Sequence, residues 1–179
     1  MHRGTVVLIG VLVGLIAATA SGALLRVGGS DGRETAFYFS VATKNTAATG
    51  TFAGDFIAIF GSGTFGDNSV DGTGVFSIST GLPPSSSNSV ASGTWTATRF
   101  VSFVSFGVAN LRAEGGILVI QVTLSFDDGS TTSGVTLTTT CHVGTVPPGS
   151  PAEGVTLSGP VVFDHSVTGI TTFSAPPED

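Results

Sequence analysis

The chain has 179 residues, 41% of them hydrophobic and only 10% charged, well below the roughly 25% charge of an ordinary soluble domain. Twelve acidic against six basic side chains give a net charge of −6, which repels phosphate backbones and excludes nucleic acid as a partner, while thirteen Phe with many Val and Ile exclude intrinsic disorder. A single cysteine, Cys141, excludes an intramolecular disulfide, so packing alone must hold the fold.

The first residues read as an export signal. Arg3 precedes the apolar run Val6 to Ala18, and Ala18-Thr19-Ala20 supplies an A-x-A-like cleavage site. Residues 1–20 are therefore expected to be a signal peptide. The alternative is an uncleaved anchor over 6–25, since about 20 apolar residues can cross a bilayer, and that segment is then the chain's one route to a membrane. Arg3 has no second arginine beside it and no cysteine stands near the cleavage site, which argues against twin-arginine export and lipidation. A type IV pilin is excluded too, because none of Thr5 to Leu25 is acidic. The expected location is secreted or extracytoplasmic, or membrane-anchored if the segment stays. Cleavage removes Arg3 and leaves five basic against twelve acidic residues, a net charge of −7. Residues 21–35 read as a linker, 36–174 as one β domain, and 175–179 as a disordered acidic tail.

Within the domain the apolar spacing is two rather than three and four. Phe37, Phe39 and Val41 share one face of a first strand, with Tyr38, Ser40 and Ala42 opposite. Phe52, Phe56, Ala58 and Phe60 alternate along a second run against Ile57 and Ile59, which makes that strand apolar on both faces. Turns are expected at Gly66-Asp67-Asn68 and at Asp71-Gly72 before the strand holding Val75, Phe76 and Ile78. Gly81 to Ser89, with Pro83-Pro84 and three serines, reads as a long exposed and mobile loop.

From Gly93 to Phe106 runs the longest strand. Trp95 and Ala97 share one parity, Phe100, Val104 and Phe106 the other, and the slip near Arg99 predicts a β-bulge; Thr94, Thr96 and Thr98 suit a solvated face. Leu118, Ile120, Val122, Leu124 and Phe126 alternate cleanly, Asp127 to Ser130 makes an Asp-Gly turn, and Val135, Leu137, Thr139, Cys141 and Val143 return on the apolar face. A Pro-rich loop at 147–151 precedes strands expected near Gly154 to Leu157, Val161 to Phe163 and Gly169 to Phe173. About eight short strands and no helical crossover predict an all-β, single-domain antiparallel β-sandwich or closed β-barrel.

The polar residues offer thin chemistry. Cys141 and His142 are neighbours, but adjacent strand residues point to opposite faces, so a buried inert thiol is the better reading than a nucleophile with its base. Asp164-His165 lacks a nucleophile elbow and suits a surface turn. Asp67, Asn68 and Asp71 are the candidate metal ligands, with Asp127 and Asp128 a second oxygen cluster, although hairpin turns use Asx residues anyway. Arg99, Trp95 and Tyr38 are the candidate ligand-binding residues. An inward Arg99 would need a carboxylate such as Glu114 or Glu153, an outward one would sit at a bulge, and the two aromatics by default pack in the core. No catalytic residue and no cofactor is indicated.

The run Gly93-Thr94-Trp95-Thr96-Ala97-Thr98 through Phe106-Gly107, then Gly115-Gly116 and a lone Cys ahead of Glu153-Gly154, resembles small uncharacterised secreted all-β bacterial proteins, over about Gly61 to Phe173. The resemblance implies an exported β domain and lends no activity. The expected role is an exported, non-enzymatic β-domain protein acting at or outside the cell surface as a binding or structural module of unknown ligand. The alternative is a small barrel whose apolar cavity binds a hydrophobic ligand, with isomerase or cyclase chemistry at Arg99. Self-association is a third expectation, allowed by low charge and open strand edges.

Overall fold

The computed structural model describes residues 34–66, 68–109 and 112–174. The expected signal peptide 1–20, the anchor alternative 6–25, the linker up to residue 33 and the tail 175–179 lie outside the described residues. The described chain is all-β: β1 (Thr35–Lys44), β2 (Phe56–Gly66), β3 (Ser69–Ser79), β4 (Ser89–Val108), β5 (Ala113–Phe126), β6 (Thr131–Cys141), β7 (Gly154–Ser158) and β8 (His165–Ser174). They form one antiparallel sheet in the order β4-β3-β2-β1-β8-β5-β6-β7, and β4 also pairs with β5. Hydrogen bonding thus passes from each strand to the next along β1 to β7, while β8 lies against β1 and meets the start of β5 at Ala113 and Glu114.

Period-two patterning puts one set of side chains on the buried face of this sheet. Phe37, Phe39 and Val41 of β1 face Ile57, Ile59 and Phe65 of β2, Phe76 and Ile78 of β3, and the fully buried run Leu118, Ile120, Val122 and Leu124 of β5. Val135, Leu137 and Cys141 of β6 complete the inner layer with Val155 and Leu157 of β7 and Phe173 of β8. Thr139 lies on this face as its parity requires, and its buried Oγ1 has no hydrogen-bond partner. Aromatic clusters close the two ends. At one, Phe65 packs on Phe103 at 4.6 Å between ring centres, with Phe173 edge-on at 6.0 Å. At the other, Phe126 meets Phe76 edge-on at 5.2 Å and Phe52 at 6.3 Å.

Trp95 lies in the middle of this core and is wholly buried. Its indole stacks on Phe39 at 5.5 Å and 18°, and its Nε1 donates to the Phe60 carbonyl at 2.9 Å. Beneath it four glycines face one another in register, Gly61 opposite Gly74 and Gly63 opposite Gly72. A Cβ on Gly61 would run into the indole ring, one on Gly74 would lie 2.5 Å from Nε1, and one on Gly63 or Gly72 would lie 2.7 Å from Phe37 Cζ. These glycines are therefore a floor that two large rings rest on. That need overrides the turn expected at Asp71-Gly72: the pair lies inside β3, where Gly72 makes room for Phe37, and at the other expected turn Asn68 adopts φ 68° just ahead of β3.

The phase slip expected near Arg99 is present as an irregularity between Ala97 and Arg99, followed by two more at Phe100/Ser102 and Ser105/Gly107. Together they bend the outer half of β4 so that Phe103 reaches Phe65 and Phe173. The strand expected at Val161 to Phe163 is a loop with a single two-way backbone bridge, between Phe163 and Leu157, and Phe52, expected to open the second strand, lies in the β1–β2 loop at φ 61°.

Overpacking a filled core costs about 1–3 kcal/mol. Gly74→Ala is expected to destabilise by that much and Gly61→Val by more, whereas Gly81→Ala, where the nearest atom to an added Cβ is 3.7 Å away, stays within about 0.5 kcal/mol of the parent. Urea unfolding followed by the emission of Trp95, the chain's one tryptophan, checks all three.

Candidate functional site: an outer apolar trough

The side chains that alternate outward from β8, β1, β2 and β3 form rows across the sheet. Thr168, Ala42, Ala58 and Ser77 align in one row, and Ile170, Ser40, Phe60 and Val75 in the next. The first row is short, and in the second Ser40 stands between the larger Ile170 and Phe60. Ser40, Ala42, Ala58 and Thr168 therefore make a floor, and Phe60 rises beside it as a ridge.

The opposite wall is the β3–β4 loop. Leu82, Pro83 and Pro84 stand over Ala42 and Ala58 and leave a trough of about 460 Å³ lined almost entirely by apolar surface. Within this loop Asn88 ties the chain together. The Asn88 Oδ1 accepts from the Ser85 amide at 2.7 Å and its Nδ2 donates to the carbonyls of Gly81 and Pro83 at 3.1 and 3.2 Å, while the Thr80 amide donates to the Asn88 carbonyl at 2.9 Å. One asparagine thus converts a Ser- and Pro-rich excursion into a fixed wall.

The outward side chains around the floor are unusually bare. Ile170 is 62% exposed, Val75 52%, Tyr38 49% and Phe60 45%. No outward side chain from Tyr38 to Ala42, Ala58 to Ser62, Thr73 to Ser77 or Thr168 to Thr172 carries a charge. Charge appears only at the margins, with Asp71 on β3 at one end and Lys44 at the other, its Nζ 5.4 Å from the centre of the Phe56 ring.

The residues singled out from sequence fall elsewhere or apart. Tyr38 belongs to the outer face, whereas Trp95 is buried in the core and presents no platform. Arg99 is exposed at its bulge, opposite Gln121. Neither carboxylate considered for it is engaged with it: Glu114 accepts from Ser105 Oγ at 2.6 Å, and Glu153 accepts from Thr171 Oγ1 at 3.3 Å. These three residues are not brought together.

Of the metal candidates, Asp67 lies outside the described residues, Asn68 is exposed at the hairpin tip and Asp71 is exposed on β3. Among the described residues no three His, Cys, Asp or Glu side chains converge on one point. Asp127 and Asp128 serve their turn. Asp127 accepts from Ser92 Oγ, and Asp128 accepts from the Ser130 amide and hydroxyl, bonds that hold its carboxyl below the usual range.

Cys141 and His142 point apart as strand geometry requires. The thiol is buried, donates to the Thr171 carbonyl, and is pushed up by burial and then by the nearby Glu153 charge. His142 is exposed and its Nε2 lies 2.8 Å from the Pro151 carbonyl. Asp164, expected in a surface turn, staples the β7–β8 loop to the end of β1: it accepts from Thr46 Oγ1 at 2.6 Å and from the Thr46 amide at 2.8 Å, while His165 opens β8 opposite Lys44.

Sequence reasoning missed the trough. Its signal was present in the apolar second face of Phe56, Ala58 and Phe60, but the wall comes from a loop 25 residues further on, which no local pattern connects to that strand. No family model, no curated protein and no solved structure matches this chain.

The Thr46 bonds hold the Asp164 carboxyl below the ordinary carboxylate range. A depressed folded-state value means that the staple contributes fully above the unfolded value and is lost as pH falls through the folded one. The Thr46 amide resonance is expected to titrate below the usual aspartate range. Asp164→Asn removes that step, together with the matching acid-side loss of stability in urea.

Proposed function

We propose that this chain is an exported, non-enzymatic β-domain protein that acts at or outside the cell surface as a binding module, with a barrel closed through six of its eight strands as its frame and the outer trough as its binding face. One observation carries the reading: an open trough lined almost wholly by apolar surface, with Phe60 and Leu82 exposed beside it and no charged side chain in its lining, lies on the outside of the sheet, while the interior is occupied by the protein's own aromatic rings. Apolar surface exposed in a contiguous patch marks interaction sites more often than scattered single residues do.

The barrel frame is supported by the strand pairing, which runs from β4 through β3, β2, β1, β8 and β5 and returns to β4. Export is supported by Arg3, the apolar run and the Ala18-Thr19-Ala20 site. The alternative of an internal cavity with isomerase or cyclase chemistry at Arg99 draws no support from the packing. Trp95 and Phe39 occupy the place that a ligand would need, and Arg99 faces solvent.

The two readings differ at Trp95. Nile red, an uncharged apolar dye, is expected to brighten on the folded chain without altering Trp95 emission wavelength, and Leu82→Ser or Phe60→Ser is expected to weaken its binding several-fold while Val104→Ser, exposed on β4, leaves it unchanged. A dye that shifts Trp95 emission, or one that is indifferent to Leu82 and Phe60, overturns the outer-face reading.

A further inference from the structure

We draw no further inference here: the strongest candidate, the edge of β4 beyond Thr96, where among the described residues the strand pairs with β5 alone and leaves Val101, Val104 and Val108 exposed, carries nothing, because nothing in the structure shows what covers it.

Discussion

The contact between the Trp95 indole and the glycines of β2 and β3 is the constraint on which the rest of the architecture depends. A ring of strands with large side chains on every inward position cannot close, because opposing layers of Phe, Ile and Leu leave no room for an indole. Four facing glycines remove the inner layer from one patch of wall, and Trp95 and Phe37 enter the space. The Trp95 Nε1 bond to the Phe60 carbonyl then satisfies the indole's one polar group in an otherwise apolar interior. Remove the floor and the sheet must either open or expel its largest ring.

That arrangement has a functional consequence. Since the protein's own aromatics fill its interior, the proposed binding face lies outside, where the outer side of the same strands leaves Phe60, Val75 and Ile170 uncovered. The two faces of β2 illustrate the division. Ile57 and Ile59 anchor the core, while Ala58 and Phe60, one residue out of phase with them, build the floor and the ridge of the trough. A strand apolar on both sides is thus explained without an internal ligand: one side packs in the core, and the other lines the outer trough.

Much of this was legible in the residues themselves. The alternation Leu118, Ile120, Val122, Leu124 and the return through Val135, Leu137 and Cys141 read directly as buried strand faces, because a period of two admits one inward set. The irregularity at Arg99 was legible as a change of parity. What local pattern could not deliver were contacts set by distant chain. Asp71-Gly72 carries turn chemistry yet lies in a strand, because Phe37 from β1 needs a neighbour without a side chain. Val161 to Phe163 has strand composition yet pairs with β7 at one bridge only, Phe163 to Leu157, while Val161 and Phe163 are buried in the core. The trough depends on Asn88 folding a Pro-Pro segment over β1 and β2, a long-range event with a short-range cause that only the assembled sheet makes visible. Trp95 read ambiguously as platform or core, and the glycines across two other strands decide for the core.

The glycine floor is also the most direct place to test the account. A nuclear Overhauser spectrum of the folded chain should show cross-peaks from the Trp95 indole protons to the α protons of both Gly61 and Gly74, with those α protons moved upfield by the ring current. An indole with no cross-peak to either glycine, and glycine α protons at ordinary shifts, would contradict the claim that these strands close around Trp95.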